Sequence, residues 1–188
     1  MVGGPTSALD RWRLIRRYAV PEWMIAECAE ARERGDWRAA CEAGRVTVTF
    51  DEAGPVADLL AGFAPDLLRW HLPRAMDGTA ALRPGMRYVL TPDGPVTADT
   101  VVLGVRTPNW ETSAQRLTLH AVPLGDVAEG LVFPLPPHMW DARRAGELGA
   151  AAHGSDLFMA LNEAGALPRL SLSDPSNWPA PAPPRHAG

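Results

Sequence analysis

Three strand-like runs follow one another between residues 86 and 122, and they constrain the fold more than any other feature of the chain. Met86–Leu90 is short and apolar, and Thr91-Pro-Asp-Gly94 follows it, with Asp-Gly the strongest hairpin signal present. Val96–Val105 is the expected partner of that first run. Gln115–Val122 then alternates cleanly: Leu117 and Leu119 face one way, Thr118 and His120 the other. A long polar connection, 107–114, carries Trp110 between the last two runs. Side chains of period two with short returns specify an antiparallel meander. Leu131–Phe133 is a candidate for a further short strand.

The residues before the meander change period. Pro21 suits the first turn of a helix that spans Glu22–Arg34, with acids early and arginines late to match the helix dipole. Gly35 is placed to end it and Asp36 to cap the next, Trp37–Ala43, which stops at Gly44. Arg45–Phe50 is β-branched and alternates as a strand. Short helices are expected over Pro55–Ala61 and Pro65–Trp70, the latter closed by Pro73. After the sheet, Pro134–Pro137 breaks the chain and Met139–Ala150 has helical spacing. Residues 155–172 are read as a hairpin turning at 162–165, with a helix ending at Gly165 as the alternative. The fold class is α+β: an N-terminal helical hairpin and short helices packed on a central antiparallel meander sheet, one further helix, and a hairpin near the C-terminus. The expected organisation is a leader (1–8), one domain (9–172, helical over 9–78 and sheet-rich over 79–172) and a Pro-rich tail (173–188). Within that domain, 9–18 is a short helix or an extended arm.

Composition enters chiefly as an eliminator. The chain has no lysine, so all 18 of its fixed positive side chains are arginines. Schiff-base and pyridoxal-phosphate chemistry, a P-loop and a kinase ATP site each require a lysine and are excluded. No cofactor is implied. Net charge is −4, which disfavours a surface devoted to nucleic acid but leaves a local basic patch open. Two cysteines, Cys28 and Cys41, are too few for a disulfide scaffold, and they read as small core residues before a redox pair. No apolar stretch has the length of a membrane span, and the arginines of 11–17 interrupt any signal-peptide core. The expected setting is a reducing cytoplasm, with no membrane partner.

The candidate chemistry is sparse. Histidines 71, 120, 138, 153 and 186 form no ligand-spaced pair, so no metal site is expected. His138 with Asp141 and His153 with Asp156 set a base near a carboxylate, the minimum for a small hydrolase or transferase. The order helix, Gly-Asp, helix, strand over 21–50 is also that of a helix-turn-helix with a wing. Its second helix, however, has a single arginine and follows one carrying Glu22, Glu27, Glu30 and Glu33. The basic segment Arg11–Arg17 interleaves Arg11, Arg13, Arg16 and Arg17 with Trp12. Trp110 and Trp178 fall in an expected loop and tail, where an exposed aromatic marks a contact surface.

Two stretches, Pro21–Ile25 with Gly35–Cys41 and Ala64–Arg74, resemble actinobacterial proteins of no assigned chemistry that accompany MoxR-type ATPase and von Willebrand-A partners. The resemblance covers about a third of the chain and implies a component of a multi-protein system. With no coherent catalytic constellation beside these aromatics, the leading expectation is a non-catalytic protein-interaction module or accessory subunit. Its binding residues would be Arg11, Trp12, Arg13, Arg16, Arg17, Trp110 and Trp178, and its partner another protein. The His/Asp enzyme and the DNA-binding regulator stand as alternatives.

Overall fold

A computed structural model describes residues 15–75, 81–110, 113–127 and 132–149. The leader, the 155–172 segment and the Pro-rich tail lie outside them. Ile15–Ala19 forms one π-helical turn and leads into α1 (Glu22–Glu33). Gly35, at φ +69°, ends α1 in the left-handed conformation that glycine adopts without Cβ strain. Its N–H donates to Arg32 O and that of Asp36 to Ala31 O, which satisfies two carbonyls that the helix end exposes. The Asp36 carboxylate then accepts from Ala39 N and caps α2 (Trp37–Ala43). The helical hairpin is therefore set by two adjacent residues, as their types require.

β1 (Val46–Val48) leads to a 3₁₀ turn at Gly54–Val56, α3 (Ala57–Gly62) and α4 (Pro65–His71). β2 (Arg87–Leu90), β3 (Val101–Arg106) and β4 (Leu117–Pro123) follow as an antiparallel meander. β5 (Val132–Leu135) completes a five-stranded sheet of order β1-β4-β3-β2-β5. The architecture is α+β with the expected antiparallel meander at its centre, and the two edge strands make the sheet as a whole mixed. β1 pairs parallel with β4, and β5 parallel with β2. Both edge strands are reached by long returns, which permit parallel pairing where tight turns would not.

Three local expectations are corrected. β3 starts at Val101 rather than Val96, and Asp93-Gly94 does not close a two-residue hairpin. Pro92 and Pro95 flank it, cannot donate to a ladder, and push the chain into a wider loop. That loop holds a second turn in which Thr100 N donates to Thr97 O and Thr97 N to Thr100 Oγ1. The break expected at Pro134 falls inside β5, an edge strand whose proline needs no ladder partner. Met139–Ala150 is not an α-helix but two 3₁₀ stretches, Pro137–Met139 and Ala142–Gly149. Trp140, at φ −146°, leaves helical geometry between them; its indole donates to Leu135 O and its carbonyl accepts from Ala64 N.

The main core lies on one sheet face. Tyr88, Leu90, Leu103, Val105, Leu117, Leu119, Phe133 and Leu135 meet Leu60, Phe63, Leu68, Leu72 and Trp140 there. A smaller cluster of Val89, Val102, Leu124 and Val132 covers the opposite face. A third, Val20, Met24 and Cys28, fixes α1.

Candidate interaction surface

Pairing register brings one end of the sheet together. Arg87 lies opposite Arg106, Arg106 opposite Thr118, and Val46 beside Leu117. Arg45 and Arg116 therefore enter β1 and β4 at the same end at which β3 finishes and β2 begins. Arg45, Arg87 and Arg106 are exposed, and Arg116 is partly buried and ion-paired to Glu42 at 2.7 Å. Directly opposed residues of an antiparallel pair share a face, so Arg87 and Arg106 set like charges side by side, an arrangement that costs stability.

The 107–116 loop, which joins β3 to β4, leaves this same end and carries Trp110, whose side chain is 73% exposed. The loop is anchored on both sides. Thr107 is buried; its hydroxyl donates to Arg83 O at 2.7 Å and accepts from Met86 N at 2.8 Å. Gly85 N donates to Pro108 O. On the far side, Gln115 Oε1 accepts from Leu82 N at 2.8 Å and Gln115 O accepts from Arg69 Nη1 at 2.9 Å. Arg69 is 2% exposed, and its Nε has no partner. Burial first, then the like charges of Arg74, Arg45 and Arg116, pull its guanidinium down to about 10. Arg69, the most deeply buried arginine among the described residues, thus serves as a clamp behind the loop that displays Trp110.

Other expected residues are placed as follows. Arg17 is exposed 5.7 Å over the ring of Tyr18, itself 70% exposed, and Arg16 belongs to the same π-helical turn. Arg11, Trp12, Arg13, His153, Asp156 and Trp178 lie outside the described residues. His138 sits in the 137–139 turn, but the neighbouring Asp141 carboxylate is committed elsewhere. It accepts from Arg143 N at 2.9 Å, from Nε at 3.0 and 3.1 Å, and from Nη2 at 2.7 Å. That leaves it to orient a guanidinium rather than an imidazole. Burial, and to a lesser degree His138, lower His71 to about 4, and its Nε2 is enclosed without a partner. In α2, Arg38 stacks 4.3 Å over Trp37 and donates to Asp51 O, while Trp37 stacks on Phe50 at 5.8 Å. The single arginine of the would-be recognition helix is occupied within the protein. Cys28 and Cys41 are buried, and desolvation pushes both thiols up to about 12, which suppresses thiolate chemistry. Among the described residues no cluster of three or more metal-ligating side chains occurs, and no helix is long and apolar enough to cross a membrane.

Sequence reasoning missed Arg87, Arg106 and Arg69. In a chain without lysine an isolated arginine attracts no notice, and only pairing register reveals that two of them are opposed. Comparison with protein-family models, with curated proteins and with solved structures finds no match.

Proposed function

We propose that the chain is a non-catalytic protein-interaction module whose docking surface is the sheet end carrying Trp110, Arg87 and Arg106. The observation that carries this reading is a tryptophan held 73% exposed on a loop pinned from both sides. A protein does not gain stability from presenting a large apolar ring to water, whereas a rigid aromatic anchor loses little entropy on binding. Beside it, an opposed arginine pair costs the free protein stability that an acidic partner restores, which selects a partner with a carboxylate-rich rim around an apolar pocket. The implied membership of a multi-protein system from the MoxR and von Willebrand-A resemblance points the same way. Against an enzyme using His138 and Asp141 stands the engagement of Asp141 by Arg143.

The test is a crosslinked co-purification from native extract with wild type, Trp110→Ala and Arg87→Glu/Arg106→Glu in parallel. The wild type retains a defined protein that both variants lose, with retention falling as salt rises. Equal retention by all three, or none by the wild type under crosslinking, removes the reading.

A further inference from the structure

A second set of polar groups lies behind the Arg87–Arg106 pair on the sheet face turned away from the main core. Arg87 is opposed to Arg106 and Arg106 to Thr118, so the three share that face. Two residues along β3 and β4, Gly104 and His120 are opposed on it as well. Tyr88, Val105, Leu117 and Leu119 alternate with them and belong to the core beneath. A Cβ built on Gly104 lies 3.8 Å from its nearest neighbour among the described residues, Tyr88 O. The ground between Arg106 and His120 is therefore bare backbone. Among the described residues no ion pair or hydrogen bond engages the exposed guanidinium of Arg87 or of Arg106. Arg116, just before β4, is by contrast held by Glu42 at 2.7 Å and Thr47 Oγ1 at 3.2 Å.

His120 is present in a defined tautomer. Thr49 Oγ1 donates to Leu119 O at 3.1 Å, which uses its one hydrogen. Its 3.0 Å contact with His120 Nδ1 is then a bond accepted from Nδ1–H, and the lone pair of the neutral ring is on Nε2. The groups set against this ring are Thr49 of β1, and Gly104 and Arg106 of β3. Burial first, and then Arg106, hold the imidazole below its usual range, so it is neutral near pH 7.5.

Two fixed positive charges, a hydroxyl and an ionisable ring nitrogen around open backbone match one chemical group. A phosphate monoester carries about −1.5 to −2 charge and three strong acceptor oxygens. Arginine forks bind such oxygens side-on, and Thr118 Oγ1 and His120 are placed to reach the remainder. A carboxylate brings one charge and two oxygens, and relieves the repulsion within the arginine pair only in part. We propose that this face is a phosphate-monoester site, and that the group it takes is a phosphorylated side chain of the docking partner. The proposal rests on the docking surface argued above and names one group that the partner brings to it. An open sheet face holds a lone phosphate weakly; a second contact at Trp110, on the loop leaving the same end, raises the affinity by linkage. When the dianion binds, His120 takes one proton from solvent at Nε2 and donates it to a phosphate oxygen.

The probe is N-acetyl-O-phosphoserine N-methylamide, titrated into the full chain at low salt. The ring signals of His120, assigned through His120→Gln, are followed by NMR, and proton uptake by calorimetry in two buffers. The expected result is a saturable shift, proton uptake, and binding that strengthens as the pH falls from about 8 to 6.5. Arg106→Ser weakens the probe about tenfold, His120→Gln keeps binding but loses the pH dependence, and the corresponding blocked glutamate binds about tenfold more weakly. Equal binding of phosphoserine and glutamate probes, or an Arg106→Ser variant that binds as wild type does, overturns the proposal. Inorganic phosphate bound more than about tenfold tighter than the blocked phosphoserine also overturns it, because the ligand is then the free ion. Phosphatase treatment of the extract separates this proposal from the docking reading. A partner still retained after treatment overturns the phosphate site and leaves the docking surface standing. A probe that binds while no partner is ever retained removes the docking reading, and with it the partner's side chain as the source.

Discussion

At Gly62, the last residue of α3, an added methyl group runs into the Asp141–Arg143 pair. A Cβ built there lies 2.2 Å from Asp141 Oδ1 and 2.5 Å from Arg143 Nε. Ordinary carbon–oxygen contacts are about 3.3 Å or more, so something must move by roughly 1 Å. Asp141 cannot move freely, because its side chain is 5% exposed and is tied to Arg143, which in turn reaches Asp58 Oδ1 and Asp58 O at 3.1 Å each. Gly62→Ala therefore incurs an overpacking penalty of about 1–3 kcal/mol and strains charge-assisted bonds. It recovers up to about 1 kcal/mol of helix propensity, leaving a net destabilisation of about 1–2 kcal/mol. In an Asp141→Ala background the obstruction is gone, and Arg143, half exposed, can swing aside. There Gly62→Ala becomes neutral or stabilises by up to about 1 kcal/mol. The double-mutant cycle should give a coupling of about 2 kcal/mol, read from guanidinium unfolding at constant m-value. Additivity within about 0.5 kcal/mol would show that Gly62 is not there to admit the Asp141–Arg143 pair.

Three further perturbations follow from the same geometry. His71 is held near 4 when folded, against about 6.5 unfolded, so the unfolded chain binds the proton first as the pH falls. Its contribution is complete above pH 6.5 and is lost between 6.5 and 4, by at most about 3 kcal/mol; His71→Leu should flatten that part of the stability–pH curve relative to wild type, and an unchanged slope would count against it. Arg87→Ala should stabilise by a few tenths to about 1 kcal/mol at low ionic strength, with the gain vanishing in high salt; thermal melts at two salt concentrations decide it, and a loss of stability would mean that the two arginines are not opposed. Arg69→Met removes the clamp on Gln115 O and should cost about 1–3 kcal/mol while accelerating amide exchange over 113–116; exchange that rises uniformly across the chain would deny Arg69 a specific role in the loop.

Much of the architecture was legible because it rests on local chemistry. Gly35 and Asp36 define the helical hairpin by backbone freedom and a side-chain cap, and both act within three residues. Leu117 and Leu119 report their face through period two alone. What failed depended on distant partners. Nothing in Val46–Val48 states that it pairs parallel with β4, since β-branched residues suit either ladder. The 139–150 spacing looked helical, yet Trp140 is pulled out by bonds to Leu135 and Ala64, which no local pattern encodes. The same limit applies to the surface. Trp110 was visible as an aromatic in a polar loop, whereas the clamp behind it requires knowing that Arg69 lies beneath Gln115.

The parallel pairing of β1 has a consequence for synthesis. Val46 emerges from the ribosome 71 residues (117 − 46) ahead of its partner Leu117. At about 5–20 residues per second that is a wait of roughly 4–14 s with one strand edge unsatisfied. A long apolar strand left in that state would recruit neighbouring nascent chains. At three residues, with Thr47 turned to solvent, this one is too short to template another. The brevity of β1 thus protects the chain in the interval before the meander arrives to complete the sheet.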